Sequence, residues 1–201
     1  MKTKFDLTKY ENMYDSFDGG HNRLHLEEVR NFGIELGKKY APDKLELIWV
    51  AATLHDVGLS IERENHEFHS YEIISADEDL KKAYSPQELE EIYEAVREHR
   101  ASTGNPQCVV AKIVSDSDKV SNDIKRAFQR AYAWGVKHHP KINHEGQLYR
   151  ASQHLMLKFG PNGTGSRLYF EESKKKQDET YQPIFDALDR DDYEMMEGFL
   201  K

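Results

Sequence analysis

The residues best suited to chemistry in this chain are a histidine–aspartate doublet, His55-Asp56, near the end of an apolar run, LIWVAATLHDVG, that Gly58 stops. Imidazole and carboxylate both ligate divalent metals and both move protons. Burying either is costly unless it is paired or coordinated, so the doublet needs partners. The chain supplies candidates at helical spacing. In HNRLHLEEVRNFGIELGKKY, residues Leu24, His25, Val29, Phe32 and Leu36 fall on or near one face, and His21 stands four before His25 on the same side. In SPQELEEIYEAVREHR, the stepping Leu89, Ile92, Val96, His99 turns His99 inward, with Arg100 beside it. His66, Ser70 and Ile73 share a face in the segment that follows the doublet, with His69 close to it. In VVAKIVSDSDKV, Asp116 and Asp118 are two apart and point to nearly opposite sides, so periodicity leaves open which of them faces inward.

A lone inward histidine is ordinarily a hydrogen-bonded core residue. Six inward polar residues, His25, His55, Asp56, one of the two aspartates, His66 and His99, fit a metal centre better, because coordination or pairing must offset that much desolvation.

The elements that must position them read as helices. The run Leu47–Gly58 lacks a polar face and predicts a central helix. Asp43 with Glu46, and Ser85 with Glu88 behind Pro86, have capping-box spacing. Asp18-Gly19-Gly20 reads as a turn before a helix that begins near His21. One long helix is expected from Val109 through Gly135, a turn-rich stretch with exposed His138, His139 and His144 after it, and a short helix over 147–159. PNGTGS reads as a loop, followed by a long polar helix whose packing stripe is Tyr181, Ile184, Phe185 and Leu188, and by a last short helix. No stretch has a strand pattern, and the expected fold is all-α: one compact multi-helix domain over 1–201, with a motif-bearing core at about 18–158 and a C-terminal loop and helices at 159–201 packing on it.

Net charge of −8 argues against a nucleic-acid polymer as partner, since phosphate backbones are held by an excess of Lys and Arg. No apolar run approaches the roughly 18 residues of a membrane span, and no membrane partner is expected. The start, MKTKFDLTKYENMYD, has no apolar signal region, and the single cysteine, Cys108, has no internal partner. The simplest expectation is a cytoplasmic protein, a monomer or homodimer. A Gly-rich phosphate loop and a GxSxG elbow are both absent from the sequence.

Taken in order, His25, His55-Asp56 and Asp118 resemble the HD superfamily of metal-dependent phosphohydrolases. The resemblance covers about residues 18 to 158. GHNRLHLEEV resembles the opening H-D-x-x-H-x-x-R-V, with Asn22 in place of Asp and Glu28 in place of Arg. ATLHDVG is similar to A-x-L-H-D-I-G, and His66 with Ser70 to H-x-x-x-S/G. EHRAS resembles the I-x-x-H-R-x-S of a nucleotide-directed subgroup, and HLMLKF with Thr164 and Arg167 loosely resembles that subgroup's C-terminal region. IVSDSDKV resembles I-V-x-D-A-D-R-L, whose second Asp is the ligand, which favours Asp118; after it this chain has SNDIK where the subgroup has L-D-A-I-G-A.

The resemblance implies one divalent ion, with room for a second, held by His25, His55, Asp56 and Asp118. Two imidazoles and two carboxylates favour Mn, Fe, Co, Ni or Zn over Mg, which prefers an all-oxygen shell. It implies a small phosphorylated substrate, a nucleotide first of all, cleaved by metal-activated water. Asp56 would also orient the water; Arg100, Lys119 and Arg23 are candidates to neutralise phosphate charge; His66 and His99 would contact substrate, protonate the leaving group or bind a second metal. Two competing expectations are a di-iron oxygenase of HD type and a non-catalytic metal- or nucleotide-binding module.

Overall fold

Among the described residues the regular structure is helical, with eleven α-helices, short 3-10 turns and no strand, and the chain is all-α. The structure, a computed structural model, describes residues 1–17, 20–121 and 123–201. The turn expected at Asp18-Gly19 lies outside them, as does Asn122 of the SNDIK stretch.

The chain forms two compact units, Met1–Ser121 and Asn122–Lys201. The division falls inside the span 18–158, and every residue singled out above for chemistry lies in the first unit. That unit contains α1 (Thr8–Glu11), α2 (Arg23–Tyr40), α3 (Leu45–Leu54), α4 (His66–Ser75), α5 (Glu78–Ala83), α6 (Pro86–Arg97) and α7 (Val109–Val120). The second contains α8 (Ile124–His138), α9 (His144–Phe159), α10 (Glu171–Asp189) and α11 (Tyr193–Gly198). Within it α9 packs on α8, α10 and α11 around Phe128, Leu148, Leu155, Tyr181 and Ile184.

In the first unit α3 is the centre. It packs on α2, α6 and α7, and Ile48, Val50, Ala51, Ala52 and Leu54 have no exposed surface. Burying each large aliphatic side chain contributes about 1.5–3 kcal/mol, so burial on all sides offsets the missing polar face. The helix stops at Leu54. His55 and Asp56 follow at its C-terminal end, and the chain tightens into a 3-10 turn, Val57–Ser60. Gly58 does more than end a helix. A Cβ there would stand 2.1 Å from the His66 carbonyl oxygen and 2.4 Å from the Ser70 nitrogen. Only a residue without a side chain lets α4 lie against the turn that carries the doublet.

Four sequence expectations are corrected. Leu24 was placed near the buried face of α2 but is 50% exposed, because Asn22 starts the helix one turn before His25 and sets Leu24 at its outer edge. Asp43 and Glu46 make no capping box: α3 has no side-chain cap, and Glu46 accepts from the Lys4 nitrogen and the Tyr84 hydroxyl. The long helix expected from Val109 ends at Val120, where the Ser121 carbonyl is taken by His25, and α8 starts afresh at Ile124. Helix α8 then continues to His138, and α9 starts at His144 rather than 147. The Ser85–Glu88 capping box on α6 is present in both halves, and His138, His139 and His144 are exposed, as expected.

Candidate metal centre

Each histidine of the site is aimed by a backbone carbonyl. His25 on α2 sets its Nδ1 3.1 Å from the Ser121 oxygen, and His55, beyond α3, sets its own 2.8 Å from Ala52. His66, first residue of α4, and His99, beyond α6, do the same with Arg63 at 3.1 Å and Val96 at 2.7 Å. A carbonyl only accepts, so all four Nδ1 atoms carry hydrogen. That leaves the four Nε2 atoms to face the interior, the tautomer in which they ligate.

The Nε2 atoms gather around two carboxylates. His25 Nε2 lies 3.2 Å from Asp118 Oδ1 and 3.8 Å from Asp56 Oδ2; His55 Nε2 lies 3.1 Å from Asp56 Oδ2 and 3.8 Å from Asp118 Oδ1. These atoms form the first compartment. Asp56 Oδ1 faces the other way, 3.2 Å from His66 Nε2 and 3.7 Å from His99 Nε2, which are 3.1 Å from each other; this is the second. Asp56 therefore presents one oxygen to each compartment. His25, His55 and Asp118 form one group able to hold a metal ion, with ligand atoms within 4.8 Å of one another, and Asp56, His66 and His99 form another.

The first compartment passes a direct test of fit. His25 Nε2, His55 Nε2 and Asp56 Oδ2 are buried and make no hydrogen bond, close as they are to one another. They point at a shared space, as ligands around an ion do. Buried polar atoms are otherwise nearly always paired.

The two aspartates of α7 are now distinguished. Asp118 joins the first compartment with 25% of its side chain exposed, so the centre opens on that side; Asp116 has no exposed surface and belongs to neither group. Arg100 donates from Nη1 to both oxygens of Glu67, at 3.2 Å each, beside His66. Arg23 is held in a two-nitrogen pair by Asp15, and Lys119 is buried.

Charge differs sharply between the compartments. Burial pushes the His55 imidazolium down, but Asp56 and Asp118 beside it more than reverse this and raise it to about 9. Burial lowers His99 and the charge on His55 adds to that, to about 4. His66 is raised: burial opposes, and Asp56 prevails. Burial would push Asp56 and Asp118 up, yet the histidines around them hold both well below the usual carboxylate range.

Several supporting residues had no role assigned by the sequence. Ser70, which shares a face with His66 and stands with it in the H-x-x-x-S/G resemblance, donates to the His55 carbonyl at 2.7 Å and accepts from the Gly58 nitrogen at 2.8 Å. Ser115 donates to the His99 carbonyl at 3.0 Å. Beneath α3, the Tyr14 hydroxyl donates to the Thr53 carbonyl, and Arg30, stacked on Trp49, donates to the Thr53 hydroxyl and pairs with Glu11. Asn22, where the resembling motif has Asp, accepts from the nitrogens of Leu24 and His25 and does the capping itself.

An all-helical unit that brings histidines and aspartates from five segments into two groups able to hold a divalent metal defines the class. Residues 24–123 match the family model of the HD domain, and the chain belongs to that family, whose members are in general metal-dependent phosphohydrolases. No curated protein and no solved structure matches the chain.

Proposed function

We propose that this protein hydrolyses a phosphate ester or anhydride of a small molecule, a nucleotide first of all, at a centre whose residues would hold two divalent ions, with Asp56 facing both compartments. The observation that carries the reading is the Asp56 carboxylate, with Oδ2 on His25 and His55 and Oδ1 on His66 and His99. His25, His55, Asp56 and Asp118 would hold one ion, and Asp56, His66 and His99 the second. Their mixed nitrogen and oxygen donors suit Mn, Fe, Co, Ni or Zn better than Mg. Bound there, such an ion lowers the pKa of a coordinated water and offsets charge on a phosphoryl oxygen.

The chain's own residues supply the rest. The backbone carbonyls of Ser121, Ala52, Arg63 and Val96 lock all four imidazoles with Nε2 inward, so no ring reorganises on binding. The partly open side at Asp118 is the approach for substrate and water. Arg100, with Nη1 on Glu67, keeps its other guanidinium nitrogens for phosphate; Lys119 and Arg23 are the further cations of this reading. If only one ion binds, His66 and His99, whose Nε2 atoms lie 3.1 Å apart, would be the residues to pass a proton to the leaving oxygen. A cytoplasmic monomer or homodimer acting without nucleic-acid polymer or membrane completes the proposal.

Elemental analysis of the purified protein beside Asp56→Asn tests it. Two ions of Mn, Co, Ni, Zn or Fe per chain, lost in the variant, followed by phosphate or pyrophosphate release in a nucleotide screen, is the expected result. One ion per chain moves His66 and His99 to proton transfer. The two-compartment geometry also favours a second reading, a di-iron oxygenase, which predicts two irons and oxygen uptake with no phosphate release. Failure to take up any metal overturns both.

A further inference from the structure

We propose that Glu67 and Arg100 form a clamp that sets the separation of His66 and His99, and so the ion-holding geometry of the second compartment. This rests on the two-ion reading above. The pairing is built into the chain: Glu67 directly follows His66 at the start of α4, and Arg100 directly follows His99 beyond α6. Each half of the ion pair is thus covalently next to one half of the histidine pair. The Glu67 carboxylate is 1% exposed and receives Arg100 Nη1 on both oxygens at 3.2 Å, with the Thr103 hydroxyl at 3.4 Å.

The second compartment needs such a tie more than the first. Both of its Nδ1 atoms are committed as donors to carbonyls, so the two Nε2 atoms meet lone pair to lone pair at 3.1 Å unless a proton or a cation lies between them. Among the described residues Asp56 is the carboxylate that faces these Nε2 atoms, while Glu67 Oε2 lies 3.6 Å from the opposite ring nitrogen of His66. The stretch beyond His99, Arg100 to Gln107, has no helix to fix it. The buried Glu67 fastens that stretch to α4 at the residue next to the ligand. Glu67 and Arg100 are positioning residues here: they act through the two histidines. A lone glutamate in the first turn of a helix ordinarily reads as a solvated acid that favours the helix dipole, and its burial is the observation that separates it from that role.

The test is calorimetric titration of the full chain with Mn²⁺, with bound metal counted independently. Wild type is expected to take up two ions. In Glu67→Gln the first ion should bind as in wild type and the second about 10- to 100-fold more weakly, the range for residues that orient ligands. Glu67→Asp should recover part of the loss. In Glu67→Gln/Arg100→Gln the loss should be no greater than in the single variant, because each partner acts through the other. Arg100→Lys keeps the pair's charge without its planar fork and carries the test if Glu67→Gln fails to fold; it should also weaken the second ion selectively. An unchanged second ion in these variants overturns the clamp alone. Equal weakening of both ions makes the pair a general structural contact and overturns it too. A wild-type protein that binds a single ion overturns the two-ion reading and the clamp with it.

Discussion

The two compartments use the same ligand type in the same tautomer and differ in the company they keep. The first has two carboxylates between its histidines; the second has two histidines facing each other and a share of one carboxylate. His55 rises to about 9 while His99 falls to about 4, although both are buried and both are fixed by a carbonyl three residues back in the chain. Burial lowers both. Asp56 and Asp118 act on both; His55 goes up because it lies against Asp56 at 3.1 Å, and His99 goes down because it stands farther from Asp56 and faces the charge on His55 and His66. A histidine's role at such a centre therefore follows from its neighbours and not from its own burial.

The strongest way to break the comparison is to remove what the compartments share. Asp56→Asn takes the negative oxygen from both at once. Metal should be lost from both, and hydrolysis should fall by about 10³-fold or more, the equivalent of several kcal/mol of lost charge stabilisation. Loss of metal from only one compartment would show that Asp56 is not a bridge.

Gly58→Ala should separate them. The added methyl would overlap the His66 carbonyl and the Ser70 nitrogen, so α4 must move away from the turn that bears Asp56. We expect destabilisation of about 3 kcal/mol or more, read by denaturant unfolding. The second ion should be lost before the first, since α4 carries His66.

The difference in charge predicts a difference in pH response. With metal removed by chelator, His55 has a raised folded value, so its contribution is complete below 6.5 and is lost as pH rises through about 9. The metal-free protein should lose stability over that window, by on the order of 3 kcal/mol. Metal must displace the same proton, so uptake at the first compartment should strengthen by about tenfold per pH unit across neutrality and release about one proton. Titrations in buffers of different ionisation enthalpy count it. His99, neutral above about 4, should add nothing to that count.

The smallest effect is expected at Arg23. Its guanidinium is paired with Asp15 on a partly exposed surface, where solvent and salt screen such a contact. Arg23→Gln should leave stability little changed and both compartments filled. A large rise in KM would instead place Arg23 on the substrate at the first compartment.

Legibility differed from residue to residue for physical reasons. His25 and His99 could be read as inward because they continue the apolar stepping of α2 and α6, and both are buried. Helical spacing failed at Asp116 and Asp118, since α7 has apolar residues on several sides; the resemblance favoured Asp118, and the geometry puts it in the first compartment. The two capping-box patterns look alike in sequence. Only Ser85–Glu88 forms one, because Glu46 is claimed by Lys4 and Tyr84, residues distant in the chain.

What the sequence determined by itself is the helical framework and the identity of the chemically able residues. Both depend on local periodicity, on capping and on residue types that cannot be buried without a partner. What only the tertiary structure decided is how those residues are shared out: Asp56 turned with one oxygen to each side, the four carbonyls that choose the tautomers, Gly58 as the point where α4 meets the doublet, and Glu67 buried on Arg100. Apart from the carbonyls of Ala52, Arg63 and Val96, which stand three residues before their histidines, each of these is a contact between different segments of the chain. Its energy comes from distance, orientation and desolvation in the folded state, and a linear order of residues carries none of the three.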